Sequence, residues 1–122
     1  MMETAAQIIT GLIALEHLYF LWLEMFAWDT AGRKAFKDVI PDNLVEPTKG
    51  LAANQGLYNG FLAAGLIWTF FISDLTWKTY IAIFFLGCVM IAGIYGGITA
   101  GKKIFFIQAI PAIIAILCIL WS

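Results

Sequence analysis

The sequence predicts an all-α fold: a four-transmembrane-helix antiparallel bundle with a short interfacial helix in its first loop. Three observations carry that prediction. Of the 122 residues, 62% are hydrophobic and only 12% are charged, whereas soluble domains hold about 45–50% apolar and about 25% charged residues. The apolar residues gather in four runs, Ile8–Trp28, Leu51–Ile72, Tyr80–Ala100 and Ile104–Trp121, each long enough to cross a bilayer as a helix of ~20 residues. No run alternates polar and apolar residues as a barrel strand does, and a helix satisfies its own backbone where lipid offers no partner. The chain, residues 1–122, reads as one integral membrane domain. Its formal net charge of -1 argues nothing about nucleic acid, and with no basic stripe present nucleic acid is not an expected partner.

The first run carries Glu16, His17 and Glu24, and His17 is the chain's only histidine. Ionisable side chains at membrane depth are costly and usually face a bundle interior, a cavity or a transport path. Glu3, with no Lys or Arg before the run, argues against a cleaved secretory signal. Trp28, Trp77, Tyr80 and Trp121 lie at run ends, where aromatic rings anchor at the interface.

The first loop, Asp29–Lys49, is the only long one. Thr30 is placed to cap a short helix there, with Phe36, Val39 and Ile40 on one face and Arg33, Lys34 and Lys37 toward water and headgroups. Pro41 should end it. Such a helix serves as a simple connection, or as a lid or anionic-lipid contact. The other loops are short, so consecutive helices should be antiparallel neighbours. Arg33, Lys34, Lys37, Lys49, Lys102 and Lys103 fall in loops one and three, and only Lys78 falls on the other side. The positive-inside rule then makes those loops cytoplasmic and points both termini outward from the cell membrane.

The second run carries Gly56, Gly60 and Ala64, and the third carries Gly93, Gly97 and Gly101. Small residues four apart let another backbone approach, either within the bundle or in a homodimer. In the fourth run Pro111 removes a backbone donor, which should kink the helix and free the Ile107 carbonyl beside Gln108. Cys88 and Cys118 lie in apolar segments without metal-ligand spacing, and no phosphate loop or haem or metal constellation occurs, so no metal or cofactor is expected.

At ~1.5 Å rise per residue, Glu24 lies about one turn from the cytoplasmic end of helix one. Asn54, Gln55, Tyr58 and Asn59 reach similar depth from helix two, Tyr95 from helix three and Gln108 from helix four. His17, two turns from Glu24 on the same face, lies deeper. Glu16 is offset from His17 by ~100° around the helix, which turns it toward a different neighbour or makes it a partner of His17. The layer is either a functional pocket or a polar network that specifies packing. As a pocket, His17 and Glu24 are the candidate catalytic pair, because a carboxyl and an imidazole together suit general acid–base or proton-coupled work. Glu16, Asn54, Gln55, Tyr58, Asn59, Tyr95 and Gln108 are the candidate binding residues, able to hold a carbonyl or hydroxyl. No Ser or Cys nucleophile lies in the layer. The first expectation is therefore a membrane-embedded isomerase or epimerase acting on a lipid-like or small amphipathic ligand. A proton-coupled small-solute transporter and a structural or regulatory membrane partner are the alternatives. Membrane lipids are the expected surroundings of all three.

Three stretches bear on family. They are Glu16-His17-Leu18-Tyr19-Phe20 running to Leu23-Glu24-Met25-Phe26-Ala27-Trp28, then Asn54-Gln55-Gly56-Leu57-Tyr58-Asn59-Gly60, and Gln108 with Pro111-Ala112. Over nearly the whole chain they resemble a bacterial family of small four-helix membrane proteins catalogued as a domain of unknown function. The resemblance implies a compact four-helix membrane protein, supplies no assigned catalytic residues, and brings an automatic "epimerase" label carried by some members. The length and the helix-one glutamates are also similar in architecture to small multidrug-resistance exporters, although the charge bias argues against dual insertion and the residues around Glu16 and Glu24 differ from that family's pattern.

Overall fold

A computed structural model describes residues 4–122; Glu3, used above against a signal peptide, lies outside the described residues. Among those residues every regular element is helical. The order is α1 (Thr4–Met25), α2 (Ala31–Ala35), α3 (Asp42–Val45), α4 (Lys49–Thr69), α5 (Leu75–Thr99) and α6 (Lys102–Leu120). Among the described residues α1, α5 and α6 are long and apolar enough to cross a membrane. The 21-residue α4 has the length, but Asn54, Gln55 and Asn59 dilute its hydropathy, and it is not one of those three.

The chain packs as two units. One comprises residues 4–15 and Leu62–Ser122. Its core is apolar, built on Ile13, Leu66, Leu86, Val89, Ala112, Ala115 and Ile119. Asp74 starts α5 by accepting a hydrogen bond from the Trp77 backbone N–H at 3.0 Å, which satisfies one of the helix's orphan donors. The α5 and α6 backbones meet closely. A Cβ on Gly93 would collide with the Ala109 backbone, and one on Gly97 would lie 2.7 Å from the Phe105 Cβ. The glycine face of α5 is therefore filled by the chain's own last helix, as the bundle-packing alternative supposes.

Within α6, residues Phe105–Ala109 form a π-helical turn, closed by the Ile110 N–H bonding the Phe105 carbonyl. The turn ends just before Pro111. Proline has no N–H to continue an α ladder, and the ladder slips by one residue on the approach to it. The sequence predicts a kink here, and the structure contains a wide turn.

The other unit is Glu16–Phe61. Trp28, Val45 and Ala52 form its apolar cluster, with Phe36 and Ile40 packed against them. The Trp28 Nε1–H donates to the Val45 carbonyl at 2.9 Å and lies 3.2 Å from the Thr48 hydroxyl. Trp28 therefore folds into the loop as a structural anchor beyond the end of α1. The single interfacial helix expected over this loop is instead two short ones, α2 and α3, separated by turns. Thr30 precedes α2 without capping it by its side chain, and its hydroxyl bonds the Ala27 carbonyl at 3.3 Å. Pro41 opens α3. Arg33 pairs with Asp42 at 2.7 Å and Lys49 with Asp29 at 3.3 Å, both across this loop.

Candidate functional site

The candidate site lies in the Glu16–Phe61 unit. On the α1 part of that unit the buried positions are His17, Leu23 and Glu24. The seven-residue spacing of His17 and Glu24 is that of one helix stripe. Glu24 is thus buried because of its register, on the face that would otherwise carry an apolar side chain.

Facing this stripe, α4 presents two residues without side chains. A Cβ on Gly56 would lie 2.7 Å from the Met25 Cγ and 3.0 Å from the Glu24 Cβ, and one on Gly60 would lie 2.6 Å from the Leu21 Cδ1. The helices therefore approach closely at these two turns, and Asn59 sits between the glycines. Its Nδ2 donates to the Glu24 Oε1 at 2.6 Å. Glu24 is 3% exposed. Among the described residues no lysine or arginine pairs with it. A neutral amide is its partner, so the carboxyl is positioned without charge neutralisation.

His17 is fully buried. Its ring meets Phe20 edge-on at 5.2 Å, and its Nδ1 lies 4.0 Å from the Glu16 Oε1. That distance is beyond a hydrogen bond, and the Glu16 Oε1, itself buried, accepts none. The Glu16 carboxyl thus lies near His17 without a hydrogen bond at its buried Oε1. His17 and Glu24 are seven residues apart, about 10 Å along the axis. They lie too far apart to exchange a proton directly, but close enough to touch two ends of one small molecule.

The remaining candidates divide. Asn59 reaches Glu24. Asn54, Gln55 and Tyr58 are exposed, and the Tyr58 ring packs edge-on against Phe61 at 5.6 Å. Tyr95, on α5, is exposed, and Gln108, inside the π turn, is half-buried; both belong to the other unit. Sequence reasoning did not anticipate the indole anchor of Trp28. No spacing in the sequence marked it, because Val45 and Thr48 lie 17 and 20 residues further along the chain.

These features define a class: a small protein that over its described residues is all-helical, with three helices of membrane-spanning length and character there, and a buried carboxyl held by an amide. Residues 11–120 match the family described as "Protein of unknown function (DUF1304)", and the chain belongs to it. The chain is also similar to the "Uncharacterized protein YpaA" of Lactococcus lactis subsp. lactis (strain IL1403), 32% identical over 111 residues that cover 90% of this chain and 92% of that protein. No solved structure matches the chain.

Proposed function

We propose that the protein is a four-span integral membrane protein, with α4 as the fourth span, both termini outward and the loops holding Arg33 and Lys102 cytoplasmic. In this reading it is an acid–base enzyme of the isomerase or epimerase kind, acting on a lipid-soluble substrate. The observation that carries the proposal is the Glu24–Asn59 contact, a buried carboxyl oriented by a neutral amide. A carboxyl tied to a cation is committed to one protonation state, and one held by an amide is free to take or give a proton. Glu24 removes a proton from a carbon acid and Asn59 fixes the carboxyl. His17, about 10 Å along the helix, holds the far end of the substrate, and Glu24, its proton exchanged with solvent, returns a proton to the same or the adjacent carbon. The proton count is then unchanged, with no nucleophile and no leaving group.

An assay that needs no named substrate tests this. The protein in lipid vesicles is incubated in D2O with a bacterial lipid extract, and the lipids are read by mass spectrometry. One lipid-soluble species should gain solvent deuterium. Glu24→Gln should abolish that gain while the helical circular dichroism persists. Equal deuterium gain with Glu24→Gln would remove Glu24 from the reaction. No exchange with the native protein, together with pH-driven solute flux in the same vesicles, would replace the enzyme reading by proton-coupled transport.

A further inference from the structure

We infer that the groove where α5 passes into α6 is a binding site for an anionic phospholipid, with an acyl chain in the groove and the phosphate on the lysines at its end. The groove is open and about 300 Å³ in volume, lined by Ile94, Gly97, Ile98, Lys102, Phe105 and Phe106. That is at the lower edge of the ~300–1,000 Å³ typical of small-molecule sites. It exists because Gly97 has no side chain: Phe105 settles against the α5 backbone there, and a Cβ on Gly97 would fall within 2.7 Å of it. Ile98 and Phe106 form walls that stand out from the helix pair, 80% and 64% exposed.

The lining is hydrocarbon except for one cation. Lys102 lies in the groove, and Lys103 follows it. Among the described residues neither forms an ion pair. The sequence contains no Asp or Glu after Asp74, so this part of the chain has no carboxylate to neutralise them. An apolar channel with one uncompensated ammonium group in its lining, and a second on the next residue of the chain, complements a molecule with a hydrocarbon tail and an anionic head. Basic sites at the ends of membrane helices attract anionic headgroups by about 1 kcal/mol per lysine, which is roughly fivefold in affinity. The inference rests on membrane insertion and is independent of the acid–base reading, since no residue of the groove belongs to the Glu24 site.

Native mass spectrometry of the full chain, from micelles holding equal phosphatidylglycerol and phosphatidylcholine, tests it. The expected result is one phosphatidylglycerol retained per chain in preference to phosphatidylcholine. Lys102→Gln with Lys103→Gln should abolish the preference, and Lys78→Gln should preserve it. Ile98→Ser with Phe106→Ser should lower retention with both lysines intact, and millimolar inorganic phosphate should not displace the lipid. Equal retention of the two lipids by the native chain would overturn the groove proposal alone. So would an unchanged preference in the double-lysine variant, or displacement by phosphate. A native chain that is soluble without detergent and carries neither lipid would overturn both this proposal and membrane insertion.

Discussion

Glycine brings helices together in both units, but what it brings into contact differs. At Gly93 the space left by the missing side chain is taken by the Ala109 backbone, and the surroundings are Leu86, Val89 and Ala112. At Gly56 and Gly60 it is taken by Met25, Glu24 and Leu21, and the result is a hydrogen bond between Asn59 and a buried carboxyl. The first contact is backbone against backbone, in hydrocarbon. The second sets the glycine backbone mainly against side chains, with the Leu21 carbonyl also close to Gly56, and ends in polar chemistry. In a bilayer, where apolar burial drives helix association only weakly, close packing and polar contacts are the two remaining means of holding helices together. Each unit relies mainly on one of them.

Substitutions sharpen that contrast. The largest effect is expected at Gly93. Gly93→Val forces atoms into the Ala109 backbone, which cannot swing aside, so the loss should reach about 3 kcal/mol or more. Gly60→Ala meets only the mobile end of Leu21, and its stability in detergent, followed by thermal melting, should stay within about 1 kcal/mol of the native chain. Equal losses would erase the difference between the two kinds of contact.

The next effect is at Asn59. Asn59→Leu leaves the buried Glu24 without its donor, a loss of about 1–3 kcal/mol. Adding Glu24→Leu should recover much of it, because removing both partners removes the orphaned group. A double variant as unstable as the single one would show that the contact contributes shape rather than polarity.

The smallest effect concerns the exposed Asp29. Its hydrogen bond with Lys49 holds its carboxyl below the ordinary 3.8. A lowered folded-state value stabilises the fold above that ordinary value, and the contribution fades as pH falls through the folded value. Melting temperatures of the native chain and Lys49→Gln should therefore differ slightly at neutral pH and converge in acid below about pH 4. A gap that widens in acid would contradict the pairing.

Three of the long helices were legible as apolar runs, because their residues are apolar over the length a span would need. Helix ends were not legible to the same degree. The third run starts at Tyr80, yet α5 starts at Leu75, since the cap supplied by Asp74 sets the helix end, ahead of the polar Lys78 at which the apolar run breaks off. The first run continues to Trp28, yet α1 ends at Met25, because the indole N–H is drawn to Val45 and Thr48. The second run shows the opposite limit. Its helix is there, but the amides that make it chemically interesting are the residues that lower its hydropathy.

At the site, rise per residue placed Glu24 and Asn59 at one depth, and they meet. It placed Asn54, Gln55 and Tyr58 there too, and they are exposed. Depth follows from counting residues, but the direction in which a helix presents them follows from its neighbours. Here Gly56 and Gly60 set that direction, which a reading of small residues as generic packing sites did not connect to Asn59.

The wide turn at Phe105–Ala109 works as a phase adjustment. It winds one residue more than an α turn into a single revolution. Every side chain beyond it is thereby offset by roughly one residue's step, ~100°, from where an uninterrupted helix would carry it. Ile104 just before the turn, and Phe105 and Ala109 at its two ends, all meet α5, and Ala112, Ala115 and Ile119 continue the buried row. Deleting a single residue from the turn would leave the composition of the last helix almost unchanged. It would also rotate its two halves against each other, turning either the lysines or the alanine row away from its present side.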